Sequence, residues 1–125
     1  LGTLGTKFML DSETFLPVLK SIKQRGLIYV DSRSTSRSLG PELASSIQLP
    51  KAFNNVFVDK EPSQEKIKNK LVELERIALK RRFAVGIAQP LPITIEILSQ
   101  WTKELKTKQI ALAPITAIVD KQSQR

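Results

Sequence analysis

Residues 55–90, NVFVDKEPSQEKIKNKLVELERIALKRRFAVGIAQP, hold two short apolar runs separated by a long stretch of different period. The first run, NVFVD at 55–59, is continuous and rich in branched and aromatic side chains, as a strand buried on both faces must be. FAVGIA at 83–88 repeats that composition. Between them Ile67, Leu71, Leu74 and Ile77 recur every three or four residues. That spacing puts them on one face of a helix running from Pro62, a residue suited to a first helical turn, to about Arg82. Strand, helix and strand without a hairpin turn signal such as Asn-Gly imply parallel strands joined by a right-handed crossover.

The same alternation extends in both directions. Upstream, Asp11 or Ser12 opens a helix over about 12–25 with Phe15, Val18, Leu19 and Ile22 on one face, and Gly26 is placed to end it. LIYVD at 27–31 is another buried strand, followed by the polar loop RSTSRSLG and a short helix around 41–47 that Pro50 stops. Downstream, the helix after Pro92 carries Ile97, Leu98, Trp101 and Leu105 on one stripe, and IALAP at 110–114 reads as a fourth strand. Strands are expected at 27–31, 55–58, 83–88 and 110–113, and the tail after Asp120 is polar enough to fray. The class is α/β. A chain of 125 residues, 41% of them hydrophobic, suits one domain over 1–125.

Composition excludes several chemistries. With no histidine and no cysteine, the chain has no Ser-His-Asp or Cys-His relay, no two-histidine zinc pair and no thiolate metal site. Neither a Gly-x-Gly-x-x-Gly segment nor a phosphate-loop Gly-Lys-Ser/Thr occurs, which argues against a nucleotide enzyme. The absence of cysteine leaves both a reducing and an oxidising compartment open. The net charge of +8 favours acidic partners, or describes solvated helix faces where Lys66, Lys68, Lys70, Lys80, Lys103 and Lys106 alternate with Glu73, Glu75 and Glu104. The chain opens on Leu1, with no basic stretch leading into an apolar run, so neither a signal peptide nor a membrane anchor is expected in this piece.

Candidate functional residues lie at the carboxyl ends of the strands, where parallel α/β sheets place the groups that touch ligand. IYVD ends on Asp31, VFVD on Asp59 and GIAQ on Gln89. Each aspartate is equally suited to capping the turn or helix that follows it. Glutamine is an unusual residue for chemistry: its amide donates and accepts hydrogen bonds but exchanges no proton near neutral pH. Ser32, Arg33, Ser34, Thr35 and Arg37 crowd the loop behind Asp31, either to hydrogen-bond a sugar or an anion or as a solvated loop. Trp101, on an apolar stripe, reads as core.

Taken in order, GTKFMLDSETFLPVLKSIKQRGLIYVDSRSTSRS, NNVFVDKEP, LVELERIALKRRFAVGIAQPLPITIEILSQW and IALAPITAIV resemble the second half of the divergent polysaccharide deacetylase family. The resemblance implies a partial or irregular (β/α) barrel of parallel strands with outer helices. It also implies a periplasmic or extracytoplasmic bacterial envelope protein whose partner is a polysaccharide or amino-sugar glycan. Active relatives use a divalent metal, whose bound water removes acetyl from the sugar. That reaction needs a held metal, a hydroxide-like nucleophile and a proton for the leaving amine.

Two departures from the family pattern matter. GTLGT places Thr3 where the family has the histidine of an Asn-His-Met-Gly-Ser-like segment, and IAQP places Gln89 where it has that of Gly-His-Pro. The Asp-Ser of the central strand is present as Asp31 and Ser32, and the Asp-x-Glu-Pro segment as Asp59, Glu61 and Pro62. The family's early strand-end aspartate pair has no counterpart in this chain. Without imidazole the remaining carboxylates suit a calcium- or magnesium-like ion rather than zinc, so no resident cofactor and no metal ligand is assigned. The leading expectation is a glycan-binding or scaffold protein without metal chemistry, with Thr3, Ser32, Arg33, Asp59, Glu61 and Gln89 as substrate contacts. Asp31 is then the residue to carry any remaining catalysis. The alternative is a working amide-hydrolysing deacetylase in which Asp31, Asp59 or Glu61 serves as ligand or base. A nucleic-acid binder is suggested only by the charge; sparse aromatics and the absence of a recognition motif oppose it, so no nucleic acid is expected. No membrane span is expected, and self-association stays open.

Overall fold

The computed structural model describes residues 5–122. The chain forms two compact units: one runs up to Asn54 and takes in the chain again from Ile115, and the other is Asn55–Pro114.

In the first unit, a single-turn helix α1 (Thr6–Met9) leads into α2 (Ser12–Gln24). Asp11 is the N-cap of α2. Its carboxylate accepts from the Glu13 N–H at 3.1 Å and the Thr14 hydroxyl at 3.0 Å, taking up donors that the first turn leaves free. At the other end Gly26 adopts φ 69°, the left-handed conformation that ends helices at little cost only for glycine. Strand β1 (Tyr29–Asp31) and helix α3 (Gly40–Ser46) follow, and β2 (Lys51–Phe53) pairs parallel to β1 with Asp31 opposite Phe53. Met9, Phe15, Leu19, Ala44 and Leu49 form the buried core, with Tyr29 against it and edge-on to Phe15. The outer edge of β2 is closed by the returning chain: Asp120 donates its N–H to the Lys51 carbonyl at 2.8 Å. The Gln122 side-chain amide accepts from the Phe53 N–H and donates to the Phe53 carbonyl, both at 2.8 Å. An amide side chain thus satisfies the ladder groups of a missing strand neighbour and blunts the edge.

The second unit is built on β3 (Val56–Phe57), α4 (Gln64–Arg81), β4 (Gly86–Ile87) and α5 (Pro92–Glu104), with a 3₁₀ turn at Leu105–Lys108. β3 and β4 pair in parallel, and the Asn55 side chain prolongs their ladder by accepting from the Val85 N–H at 2.8 Å. Val58, Ile67, Leu71 and Ile97 form the core, flanked by Leu74, Ile93, Leu98 and Trp101. Trp101 is a core residue with its polar atom paired: the indole N–H donates to Glu75 at 2.7 Å, and Lys108 neutralises the same carboxylate at 3.0 Å.

Three expectations change. The fourth strand, expected at 110–113, is absent: the segment has no ladder and Leu112 is two-thirds exposed, because no described strand lies beside it to complete its backbone hydrogen bonds. A three-residue strand at Lys51–Phe53 is present where none was expected, so the Tyr29 strand has this partner rather than the Phe57 strand. Pro62 precedes the helix instead of opening its first turn; Ser63 is the N-cap, accepting from the Lys66 N–H at 3.3 Å. The parallel pairing is as expected, but the described strands make two two-stranded sheets and no closed barrel. Among the described residues no helix is long and apolar enough to cross a membrane.

Candidate functional site

The second unit places Asp59 just past the end of β3, buried to 3% exposure. A carboxylate out of water must be hydrogen-bonded, and three bonds hold this one. The Gln89 N–H donates to both oxygens, at 3.1 and 2.9 Å, and the Thr94 hydroxyl donates to one at 2.7 Å. Asp59 therefore ties the end of β3 to the residue after β4 and to the first turn of α5. At position 89 the backbone N–H makes the link, while the residue as a whole is exposed. Glu61 is also exposed, with Lys66 at 3.9 Å across solvent; such pairs contribute little.

The first unit places Asp31 at the end of β1, 1% exposed. Its carboxylate accepts from the Arg33 N–H at 2.7 Å, closing a two-residue turn, and from the Ser38 hydroxyl at 2.7 Å. Ser38 in turn accepts from the Gly40 N–H at 3.1 Å, so the aspartate positions the start of α3 through an intermediate hydroxyl. The Tyr29 phenol also hydrogen-bonds Asp31. Burial first, then the negative charge of Asp31 and that bond, push its pKa far above the ordinary value. Gly40 is buried against this cluster, and a Cβ there would collide with the Tyr29 hydroxyl and the Asp31 carboxylate.

Ser32 is half-buried. Arg33 is half-buried with φ 52°, and its guanidinium lies over the Phe53 ring, 4.3 Å from the centroid. Thr3 falls outside the described residues. Two cluster residues, Thr94 and Ser38, went unnoticed in the sequence. Thr94 shares the helical stripe of Ile97, Leu98 and Trp101, and a hydroxyl on an apolar stripe signals a buried partner. Ser38 carries no comparable signal.

The donor set does not fit zinc. The chain has no imidazole or thiolate, and among the described residues no three acidic side chains gather as a metal site.

The sequence matches the family model for divergent polysaccharide deacetylases over residues 2–119. The chain belongs to the divergent polysaccharide deacetylase family. Among solved structures, this deacetylase-family chain is similar to an uncharacterized protein from Agrobacterium tumefaciens C58. Identity is 32% and the TM-score 0.87, over 90% of this chain and 46% of that one. The chain therefore spans about half the length of that protein. A comparison with curated proteins gives no match.

Proposed function

We propose that this divergent polysaccharide deacetylase domain binds amino-sugar glycan in the extracytoplasmic space without hydrolysing it, serving as a scaffold. The observation that supports the reading is the state of the Asp59 carboxylate. It is buried, and the Gln89 N–H and the Thr94 hydroxyl occupy both its oxygens. A general base or metal ligand needs a lone pair directed at substrate or ion, and here both oxygens are already engaged by hydrogen bonds within the fold. Asp31 is engaged in the same way by the Arg33 N–H and the Ser38 hydroxyl. Within the first unit, the half-buried Arg33 and the exposed Arg37 of the loop at 32–37 offer guanidinium donors, groups that bind carbohydrate without cleaving it.

The test is acetate release and calorimetric binding measured on the same preparation with chitin oligosaccharides, with and without added zinc. Binding with no acetate above blank is the expected result. Acetate release that scales with protein concentration and falls in Asp31→Asn or Asp59→Asn would establish the altered-site enzyme instead.

A further inference from the structure

Arg33 combines three features that no structural role unites. Its backbone is left-handed at φ 52°, a conformation strained for a non-glycine residue. Its N–H is fixed to the buried Asp31 carboxylate at 2.7 Å, which sets where the side chain leaves the loop. Its guanidinium lies over the buried Phe53 ring, 4.3 Å from the centroid. Stacking occupies one face of the guanidinium and leaves its in-plane N–H donors available. Among the described residues no carboxylate pairs with that guanidinium and no hydrogen bond engages it. A glycine would hold the turn with less strain. What the arginine adds is a rigidly presented cation at the carboxyl edge of the β1–β2 sheet.

A second feature of that edge is also unsatisfied. Asn54 follows Phe53 directly and donates its N–H to the Asp31 carbonyl at 2.8 Å, continuing the ladder. Its side-chain Oδ1 is buried and has no hydrogen-bond partner among the described residues. A buried acceptor without a donor is costly, so the end of β2 carries a polar group that the described fold leaves unsatisfied.

We infer that Arg33 makes the glycan site selective for acidic amino sugars, its planar fork taking a carboxylate substituent while Phe53 holds the fork in place. The inference rests on the glycan-binding reading above and narrows it to a substrate class. A planar two-oxygen anion matches two parallel N–H donors, and partial burial keeps the pair from being fully screened by salt. The neighbouring Arg37, exposed in the same loop, adds long-range attraction without fixed geometry.

The experiment compares an amino-sugar oligosaccharide bearing a lactyl-ether carboxylate with the same oligosaccharide reduced to the neutral alcohol, by calorimetry, against the chain and two variants. Wild type is expected to bind the acidic sugar at least about tenfold more tightly, the factor that one charge-assisted bond gives. Arg33→Gly removes the cation and relieves the left-handed backbone, so it should melt no lower than wild type while binding both sugars alike. Arg33→Lys keeps the charge without the fork and should retain only part of the preference. Equal affinity of wild type for the two sugars, or a preference that survives in Arg33→Gly, overturns this inference and leaves glycan binding standing. Failure to bind either sugar overturns both.

Discussion

Asp59 offers the sharpest separation between a structural and a chemical role, because the two predict opposite signs for its removal. Asp59→Ala deletes the acceptor of three hydrogen bonds, two from the Gln89 N–H at 3.1 and 2.9 Å and one from the Thr94 hydroxyl at 2.7 Å. Gln89 is exposed, so its N–H finds water and loses only the charge-assisted surplus, about 1 kcal/mol. Thr94 is fully buried, and its stranded hydroxyl costs about 2 kcal/mol. The sum, about 3 kcal/mol, is a large part of the stability of an ordinary domain. Thr94→Val removes the donor instead. The carboxylate keeps the Gln89 N–H, and the cost falls to about 1 kcal/mol. In the double variant neither a hydroxyl nor a carboxylate is left short of a partner, so only the Gln89 contribution of about 1 kcal/mol remains, about 3 kcal/mol below the sum of the two singles, a coupling that only contacting groups show. Urea denaturation followed by circular dichroism measures all four corners, read from midpoints at constant slope. A catalytic carboxylate held against its own preference behaves differently, since its removal stabilises the fold. If Asp59→Ala is neutral or more stable than wild type, the clamp assignment is refuted and the altered-site enzyme becomes the better reading.

Three further outcomes follow from the same clusters. Gln89→Ala should change stability by less than about 0.5 kcal/mol, whereas Gln89→Pro, which deletes the N–H that Asp59 accepts, should cost about 2 kcal/mol in the same urea assay. Gly40→Ala should destabilise by about 2 kcal/mol despite the helix preference of alanine, because the new methyl meets Tyr29 Cε1 at 2.9 Å besides the phenol oxygen and the Asp31 carboxylate. Tyr29 is the only tyrosine, so phenolate absorbance reports it alone. Its folded pKa is raised, so the stability it contributes is complete below the ordinary phenol value of 10.0 and drains as pH climbs above it. Melting temperature should therefore fall more steeply above that pH in wild type than in Tyr29→Phe.

The elements that were legible in the sequence are those whose pattern is long enough to average out local accident. Ile67, Leu71, Leu74 and Ile77 span three turns of α4, and a stripe of that length has one explanation. The same holds for Phe15, Leu19 and Ile22 in α2, with Asp11 and Gly26 marking its ends. Short elements were not legible for the opposite reason. Lys51–Phe53 has no run of branched residues; it is a strand because Tyr29–Asp31 lies beside it and Asp120 and Gln122 close its other edge, all contacts of long sequence separation. Residues 110–113 have the composition of a strand and lack the neighbour. At the site, the burial of Asp31 and Asp59 is consistent with their place at the ends of apolar runs, but their partners include a backbone N–H two residues on, a serine seven on, a backbone N–H thirty on and a threonine thirty-five on. Only the first of these is a local pattern.

These partners also bear on how strand-end residues are interpreted. An aspartate at the end of a parallel strand is commonly taken as a catalytic group, because that edge is where ligands sit. The same edge is where a strand must turn toward a helix, leaving N–H groups and hydroxyls that a carboxylate satisfies well. Asp31 and Asp59 each do this, one through a two-residue turn and a serine, the other through a neighbouring strand end and a buried threonine. Their presence is therefore accounted for without any reaction. Position 89 completes the argument. The glutamine meets the clamp through its N–H, a group that every residue except proline supplies, so the fold is indifferent to whether the side chain is imidazole or amide. A histidine at such a position can be lost without loss of structure, whereas the carboxylate opposite cannot. In this chain the part of residue 89 that the fold requires is its N–H.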